Sequence, residues 1–506
     1  MSRKRMITTA VCAALAVLFA ALLGVLLWYQ SSTAVITNPN KGLDEMLPII
    51  EFAKVKRIDI KNKNGAYALV ATDDGNIVLE NNKYAPLNLY KVQMLLSNVC
   101  QTYYTFSADV TEADYEKYGL TADTHQAEFK LETKDGISYT VYIGDETLAN
   151  DGYYVRVPGK EAIYVLGYSI ENDLLGTSEY LVDFGLVYPT NMNFYFLVNN
   201  FTLRKGGENF VSIDFVNASD RDEFNSMGIH RLSYPKGYFA SQLYTSVLTK
   251  FSATDTLGTN MFMATEILSY NVDEKTLVEY GIDPNKPAYE LAFGSPIMDE
   301  NDEIVAFFPN LLCFSEKQRD EAGNYFYYVY SASKGTLSRI EAITVDFLEW
   351  GLDKWVSPYL FQTNILNVDT ISFESKDAKH TFKLEGNKEK VTGVTELESG
   401  YDGGIENFRN LWKSMLMFTH DGYFDLGEAE KEYLINSDEN KLLTIKMVTH
   451  KGAEREISFY QYTDRRVLYT IDGVGEFYLP ITMVEKVIAD VERFMRGETI
   501  DPEARF

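Results

Sequence analysis

Apolar side chains recur at helical spacing in three separate stretches of the chain. A helix that packs against a core places apolar residues three and four positions apart along one face. The first stripe is Leu89, Val92, Leu95, Leu96, Val99 and Cys100; the second is Phe239, Leu243, Val247, Leu248 and Phe251; the third is Ile405, Phe408, Leu411, Trp412, Met415 and Leu416. The pattern predicts three amphipathic helices.

Short segments typical of strands surround each predicted helix. Tyr139, Val141 and Ile143 alternate with other residues, which is the period of a half-buried strand. Before the helices we predict the strands Val55–Ile60, Tyr67–Thr72, Phe194–Val198, Phe201–Lys205, Phe210–Phe215, Thr370–Glu374 and His380–Glu385. After the helices we predict the hairpins Ala127–Thr133 with Ile137–Ile143, Tyr153–Val157 with Ala162–Leu166, Tyr325–Tyr330 with Thr336–Ile340, and Val467–Ile471 with Glu476–Leu479.

A short acidic helix that ends on a tyrosine is predicted after each amphipathic helix. Thr111 fits the N-cap of the first such helix, and Gly119 fits its left-handed C-cap. The three tyrosine signatures are Tyr118-Gly119-Leu120, Tyr280-Gly281-Ile282 and Tyr433-Leu434-Ile435, of which the third lacks the glycine. A closing helix is predicted after each hairpin region, at Ser169–Leu174, Ile343–Leu348 and Thr482–Arg496.

This order of elements occurs three times, which predicts three related units. Strands come first, followed by a helix and then by hairpins, so the strand–helix–strand alternation of a parallel sheet is missing. We therefore expect an α+β fold in which each unit is a mostly antiparallel sheet with helices on one face. The predicted units span residues 55–185, 190–356 and 365–496, and the third is divergent.

The N-terminal stretch has the pattern of a membrane anchor. Arg3, Lys4 and Arg5 precede the uncharged segment Met6–Tyr29, which as a helix exceeds the roughly 30 Å hydrocarbon core of a bilayer. Because the positive charges precede the segment, we expect the N-terminus inside and the bulk outside the plasma membrane. The predicted layout is a cytoplasmic tail at residues 1–5, a transmembrane helix at 6–29 and a linker at 30–54. A signal peptide cleaved near Ser32-Thr33-Ala34 is one alternative, and a buried core helix is the other.

Composition narrows the classes of protein. The chain has 506 residues, of which 46% are hydrophobic and 24% are charged, as in folded proteins rather than disordered ones. Its 47 basic and 73 acidic residues give a formal net charge of -26. Nucleic acid is therefore a poor partner, because phosphate binding needs clustered cations. Solubility is the simplest interpretation of the charge, and attraction of divalent cations or basic partners stays open.

Cysteine and histidine spacing gives no metal or disulfide pattern. Cys12, Cys100 and Cys313 are too few and too scattered for a disulfide framework or a site of paired cysteines. We expect Cys100 and Cys313 to be buried as small apolar residues. The five histidines, which show no metal-binding spacing, are His125, His230, His380, His420 and His450.

Four short patterns have a possible chemical reading and a simpler structural one. Ser331-Ala332-Ser333-Lys334 fits the S-x-x-K pattern of penicillin-binding enzymes, but it occupies a predicted hairpin turn and its partner motifs are absent. The acidic segment 299–303 could attract calcium, but it also fits a solvated hairpin turn. Leu479-Pro480-Ile481-Thr482-Met483 resembles a wall-sorting signal, and we interpret it as a strand running into the last helix. The tyrosines that could form a stacking surface, or simply favour a strand, are Tyr325, Tyr327, Tyr328 and Tyr330.

The repeated pattern resembles the bacterial family called domain of unknown function 4340. The tyrosine signatures carry the resemblance, together with Tyr142-Ile143-Gly144-Asp145 and Gly152-Tyr153-Tyr154-Val155. It covers most of residues 55–350 and, weakly, 365–494, so it implies tandem copies. The resemblance implies an envelope protein without known catalytic residues, whose relatives are neighbours of transporter systems of the gliding-motility type.

These observations favour a non-enzymatic, membrane-anchored accessory, scaffold or binding protein of an envelope or transporter-associated complex. We assign no catalytic, cofactor-binding or metal-ligating residues and no cofactor. The expected partners are the lipid bilayer, through residues 6–29, and a membrane transporter complex or a cell-wall component. A cell-envelope hydrolase, and an anchored receptor that binds a small ligand in a pocket between units, are the alternatives.

Overall fold

The structure is a computed structural model that describes residues 44–188, 190–217, 221, 223–224, 228–252, 262–423 and 427–504. The predicted cytoplasmic tail, the transmembrane helix and the linker as far as residue 43 lie outside the described residues. Within the described ranges, no helix combines the length and the apolarity needed to cross a bilayer. The chain divides into two compact units, Met1–Asp183 and Phe184–Phe506.

One antiparallel sheet forms the centre of the first unit. In the strand Ala127–Thr133, Phe129 and Leu131 are fully buried and Lys130 between them is exposed, as expected when one face of a strand meets a core. The strands are β1 (Asp44–Glu45), β2 (Val55–Asn62), β3 (Gly65–Ala71), β4 (Ile77–Leu79), β5 (Tyr103–Tyr104), β6 (Phe106–Asp109), β7 (Ala127–Thr133), β8 (Ser138–Glu146), β9 (Gly152–Arg156) and β10 (Ala162–Gly167). β1 pairs with β5, and the other eight follow the order β4-β3-β2-β7-β8-β9-β10-β6.

The helices of the first unit are short, apart from the predicted amphipathic one. Helix α1 spans Leu89–Cys100, and Asn88 caps it by accepting a hydrogen bond from the Lys91 backbone N–H at 3.1 Å. Its predicted apolar stripe is buried except for Leu89 at the first turn. The remaining helical segments are α2 (Glu171–Leu174) and the 3-10 helices Phe52–Lys54, Glu112–Tyr118, Tyr168–Ile170 and Ser178–Leu181.

Two larger antiparallel sheets form the second unit. The strands of its first sheet are β11 (Asn199–Lys205), β12 (Glu208–Phe215), β13 (His230–Tyr234), β14 (Glu266–Tyr270), β15 (Tyr289–Met298), β16 (Ile304–Phe314), β17 (Gln318–Arg319), β18 (Tyr325–Ser331) and β19 (Thr336–Glu341). Those of its second sheet are β20 (Val368–Ser375), β21 (Lys379–Gly386), β22 (Val391–Glu396), β23 (Gly422–Tyr423), β24 (Lys441–Thr449), β25 (Glu454–Gln461), β26 (Arg466–Ile471) and β27 (Val474–Pro480). The predicted antiparallel character is confirmed.

All three large sheets share one order of strands. The second unit shows β13-β12-β11-β15-β16-β18-β19-β14, with β17 beside β18, and then β22-β21-β20-β24-β25-β26-β27-β23. In each sheet the first strand of the repeat lies near the middle, and the second and third strands follow it outwards to one edge. Four hairpin strands fill the other half. The short strand that follows the amphipathic helix closes the far edge. Three stretches of the sequence therefore arrange their strands in the same way.

A single apolar core joins the two sheets of the second unit. The cluster of buried residues runs from Leu186 to Ile500 and includes inward-facing positions of both sheets. Tyr238, which follows β13, packs its ring against that of Phe477 on β27 with centroids 5.0 Å apart. Both side chains are buried. The two sheets therefore form one packed body.

The helices of the second unit lie on both faces of its sheets, which corrects the predicted one-sided cover. Successive strand residues point to opposite faces. On β19, Ile340 faces the main core, whereas Leu337 packs with Leu277 of a short helix in a separate cluster. On β26, Leu468 likewise packs with Leu434 away from the main core. The α-helices are α3 (Gln242–Lys250), α4 (Glu274–Glu279), α5 (Leu352–Trp355), α6 (Ile405–Leu416), α7 (Glu428–Ile435) and α8 (Ile481–Met495), and the 3-10 helices are Tyr195–Leu197, Ala342–Glu349 and Ile365–Asn367.

Two details of the second unit differ from the predicted elements. The segment Phe194–Val198 is not a strand: it contains the 3-10 helix Tyr195–Leu197, and pairing begins at Asn199. Its run of consecutive apolar residues has no period of two, so the pattern could not separate a strand from a turn of helix. The predicted second helix begins three residues after Phe239, at Gln242, because Ser241 caps it.

A buried carboxyl group links α1 and α2 in the first unit. Asp173 is 2% exposed, and the Asn98 side-chain amide donates a hydrogen bond to its Oδ2 at 2.6 Å. The same amide donates to the Ser169 carbonyl at 2.9 Å, and the Tyr67 hydroxyl donates to the Asp173 carbonyl at 2.5 Å. Burial raises the pKa of Asp173 to about 6. The Asn98 hydrogen bond acts in the opposite direction, and its effect on the pKa is smaller.

We expect Asp173→Asn to stabilise the first unit at neutral pH. The pKa of Asp173 is about 6 in the folded state against an ordinary 3.8, so the folded protein holds the proton more tightly than the unfolded chain. The contribution of protonated Asp173 to the free energy of unfolding is complete below pH about 4, and it is lost as the pH rises through about 6. Hydrogen exchange of the α1 backbone amides at pH 7.5 should show that the free energy of unfolding is roughly 1–3 kcal/mol higher in Asp173→Asn than in the unchanged protein.

The matched control is Asp123→Asn, because Asp123 is exposed in a turn of the same unit. Its exchange should equal that of the unchanged protein at both pH values. At pH 4 the gain from Asp173→Asn should vanish. A gain that persists at pH 4, or no gain at pH 7.5, would contradict the assignment of a buried, ionising carboxyl.

Candidate ligand-binding cleft

A large cleft of the second unit lies between its two repeats. It has a volume of about 1170 Å³ and is bordered by the start of α3, one side of α6 and the connecting segment 356–365. This volume lies slightly above the roughly 300–1,000 Å³ that is typical of small-molecule sites. The receptor alternative requires a pocket between two repeats, and this cleft has that position within the second unit.

The walls of the cleft are mostly apolar and aromatic. Phe239 and Leu243 line it from the α3 side, Trp412 and Leu416 line it from α6, and Phe361 lines it from the connecting segment. Leu243 is 46% exposed, whereas Trp412 is only 5% exposed. Apolar walls of this kind bind ligands by removing apolar surface from water.

Positive charge predominates among the charged residues of the cleft. Lys354, Arg409 and Lys413 line it together with a single carboxylate, Asp353. Arg409 donates a hydrogen bond to the Val391 carbonyl at 2.9 Å and also pairs with Glu406, which fixes its direction. The cleft is thus locally cationic in a chain whose net charge is -26.

Buried hydrogen bonds hold the two helical walls in place. The Ser241 hydroxyl donates to the Lys354 carbonyl at 2.5 Å, which ties the start of α3 to α5. On the other wall, the Ser414 hydroxyl donates to Asp490 of α8 at 2.8 Å. Lys486 and Arg493 pair with the same carboxylate at 2.9 and 3.0 Å. The cleft is therefore preformed.

Two cleft groups that could take part in chemistry are committed to main-chain partners. His230 lies in the wall with its Nε2 at 2.7 Å from the Phe196 carbonyl, and burial lowers its pKa. The hydroxyl of Ser241 is engaged with Lys354, as described above. This arrangement suits binding better than proton transfer or nucleophilic attack.

The S-x-x-K pattern has the structural role that its turn position predicts. Ser331 is fully buried at the end of β18, and its hydroxyl donates to the Leu186 carbonyl at 2.7 Å. The Lys334 ammonium lies over the ring of Tyr188, 5.0 Å from its centroid. A nucleophile must reach its substrate, so this geometry gives the hydrolase alternative no support.

The other short patterns also have structural roles. The acidic segment 299–303 is the predicted turn between β15 and β16, and the Asp299 carboxylate accepts the backbone N–H groups of Asn301 and Glu303 at 2.8 and 2.9 Å. These hydrogen bonds lower the pKa of Asp299. Pro480 ends β27 where α8 begins, as expected for the sorting-signal look-alike. Within the described residues, no group of three or more His, Cys, Asp or Glu side chains could hold a metal ion.

The tyrosines of β18 do not share one face. Tyr327 is buried against Phe314 in the core, with ring centroids 6.3 Å apart, whereas Tyr325 is half exposed. Tyr328 packs on Tyr280 of the second signature at 4.9 Å. The alternation of a strand thus accounts for the cluster, and a continuous stacking surface is not formed.

Both cysteines of the described part are buried free thiols, as predicted. Burial raises the pKa of Cys100 to about 12 and that of Cys313 to about 11. A thiol of this kind remains protonated near neutral pH and is a poor nucleophile or metal ligand. Neither cysteine contributes to the cleft.

The signature residues of the first unit pack against one another. Gly119 has a positive φ of 62° and ends the short acidic helix, as predicted. The Arg156 side chain donates to the Leu120 carbonyl at 2.8 Å and lies over the Tyr142 ring at 4.3 Å. A Cβ on Gly144 would lie 2.2 Å from the Tyr118 carbonyl oxygen. These contacts dock the acidic helix on the sheet and are structural rather than chemical.

The residues that line the candidate cleft were not singled out by sequence reasoning. Trp412 was placed on an apolar helix stripe, and the structure shows that it also lines the cleft. Arg409 and Lys413 are four residues apart and so lie on one side of the same helix. This pair of cations next to Trp412 was a usable signal for a binding surface. The connecting segment 356–365 gave no signal, because its residues face the cleft only after both sheets have formed.

Residues 78–187 match the family model described as Domain of unknown function (DUF4340). The resemblance inferred from the signatures is therefore confirmed for this stretch, which contains the first signature. The model does not extend over the second and third repeats. No curated protein and no solved structure matches the chain.

We expect Gly144→Ala to destabilise the first unit by about 1–3 kcal/mol, because the added methyl group would overlap a backbone carbonyl that cannot move freely. Urea denaturation monitored by limited proteolysis within residues 112–146 would measure the loss. The control is Gly167→Ala, since a Cβ at Gly167 meets no atom within 4 Å. Equal effects of the two substitutions would mean that the signature glycine has no docking role.

Proposed function

We propose that the protein is a membrane-anchored, extracytoplasmic binding protein with a non-enzymatic role in an envelope or transporter-associated complex. The apolar segment Met6–Tyr29 behind three basic residues supports the anchor. The single observation that carries the binding role is the preformed cleft between the repeats of the second unit. In this proposal, the anchor keeps the cleft close to the membrane surface.

The chemistry of the cleft favours a small ligand with an apolar body and an anionic group. Leu243 and Tyr359, which are 46% and 54% exposed, offer apolar and aromatic surface for the apolar part. Lys354 and Lys413 offer cations for the anionic part, and both side chains are exposed. An anionic ligand approaching a chain of net charge -26 needs such a local reversal of charge.

We expect the anionic dye 8-anilinonaphthalene-1-sulfonate to bind the cleft of the folded protein. Its aromatic body matches the cleft walls and its sulfonate matches the cations, so its fluorescence should rise on binding. Leu243→Glu places a carboxylate on the apolar wall and should weaken binding at least tenfold, or about 1.4 kcal/mol. Fluorescence titration of the full-length protein in mild detergent provides the measurement.

Ser246→Glu is the matched control, because Ser246 is an exposed residue of α3 that does not line the cleft. Its affinity for the dye should equal that of the unchanged protein. If Leu243→Glu bound the dye as tightly as Ser246→Glu, the cleft would not be the binding site and the proposed function would lose its support.

We expect the bulk of the chain to be accessible from outside the cytoplasmic membrane. Leu148 is 98% exposed in the first unit, so Leu148→Cys should react with a membrane-impermeant maleimide in intact spheroplasts. Ser2→Cys, in the predicted cytoplasmic tail, should react only after the membrane is permeabilised. The native thiols Cys100 and Cys313 are buried and give little background. The opposite labelling pattern would refute the proposed orientation.

A further inference from the structure

One hairpin of the second unit is longer than its counterparts in the other two sheets. In the first sheet, β2 pairs with β7 along the whole strand, up to Thr133. In the second sheet, β11 pairs with β15 only as far as Gly294. Residues 295–298 and 304–308 therefore continue as a two-stranded extension, which we call the arm (residues 295–308). Four residues of strand add roughly 13 Å.

The inner face of the arm is held by the second unit. Ser295 accepts hydrogen bonds from the Asn310 side chain at 3.0 Å and from the Thr190 hydroxyl at 3.1 Å. Phe308 packs edge-on against Tyr188, with ring centroids 4.6 Å apart. Ser295 and Asn310 are both buried. The arm is thus held in place before binding, so it would lose little conformational freedom when a partner binds.

The outer face of the arm is apolar and exposed. Val305 and Phe307 are 42% and 37% exposed. The same face continues beyond the arm on β16, where Pro309 is exposed and Leu311 is 36% exposed. Phe307 lies over Gly294, where a Cβ would come within 3.0 Å of the Phe307 Cβ. Contiguous apolar surface on a rigid element is typical of protein interaction sites. The extension is absent from the other two hairpins, so sheet formation does not require it.

One proline lies on the β15 edge of the arm, and a second lies on β16 immediately after the arm. Pro296 lies on β15 beyond its pairing with β11, and Pro309 lies on β16 before its pairing with β18 begins at Leu312. Proline has no N–H to donate, so each edge is a poor template for another strand. A partner would therefore pack on the outer face of the arm and would not extend the sheet.

The tip of the arm is acidic. Asp299, Glu300, Asp302 and Glu303 lie within five residues, and the Asp299 carboxylate organises the turn through backbone hydrogen bonds. Among the described residues, no cation forms an ion pair with the other three carboxylates of the tip. Four carboxylates would be repelled by anionic lipids and by a second copy of this acidic chain. They complement a basic protein surface.

We propose that the arm docks a partner protein whose apolar groove is bordered by lysine or arginine residues. Phe307 and Val305 enter the groove, and the carboxylates of Glu300, Asp302 and Glu303 meet the basic border. The arm shares no lining residue with the cleft, so partner docking is independent of the proposed ligand site.

Site-specific photocrosslinking in the cells that produce the full-length chain tests this proposal. Benzoylphenylalanine placed at Val305 should crosslink to one protein species, and the same probe at the inward-facing Phe308 should not. Phe307→Asp should lower the yield from position 305 at least tenfold. Neutralising the tip with Glu300→Gln, Asp302→Asn and Glu303→Gln should lower it at least threefold. These tip side chains are exposed, so that variant keeps its fold; Asp299 is left unchanged because it holds the turn.

Ile343→Asp is the matched control, because Ile343 is another exposed apolar residue of the second unit, 83% exposed, and lies outside the arm. It should leave the yield from position 305 unchanged. Crosslinks to lipid or to a second copy of the chain would overturn the proposal, as would no crosslink or a yield that is insensitive to the tip charges. Dye binding in the cleft should be unaffected by every arm variant, so failure here is distinguishable from failure of the ligand site.

Discussion

The apolar core that runs through the second unit is the constraint on which its other features depend. Each antiparallel sheet has a face that must be covered, and here the two sheets contribute to one core instead of forming two. Tyr238 and Phe477, from different repeats, are packed within it. Because interiors are close-packed, a shift of one sheet would disturb the other. The relative position of α3 and α6, and so the shape of the cleft, follows from this packing.

The cleft and the arm use this rigidity in different ways. The cleft is a concave surface between repeats, with walls fixed by Ser241 and by Asp490. The arm is a convex extension of one repeat and is supported by Asn310 from below. The first surface is locally cationic, whereas the second ends in carboxylates. A repeated fold thus presents two surfaces of opposite charge, both proposed here for binding, without a separate domain for each.

Local patterns predicted the elements well, and long-range packing accounts for what they missed. α6 has the predicted bounds, Ile405 to Leu416, because its apolar stripe is regular. The edge strand β13 (His230–Tyr234) was not predicted, since only His230 and Leu232 are buried and the rest is exposed. The cleft could not be predicted as a site, because its two helical walls, α3 and α6, are more than 150 residues apart in the sequence. The side on which α4 packs likewise depends on Leu337, a tertiary contact.

The buried state of the two cysteines has a consequence for how the protein matures. Secreted folds often depend on disulfides, which must be formed by oxidoreductases. In the described part of this chain, Cys100 and Cys313 remain free, and extended antiparallel cores supply the cohesion. The described part of a chain exported in the proposed orientation would then reach its folded state without oxidation of these two thiols. It would also keep that state in reducing surroundings, where disulfide-built ectodomains come apart.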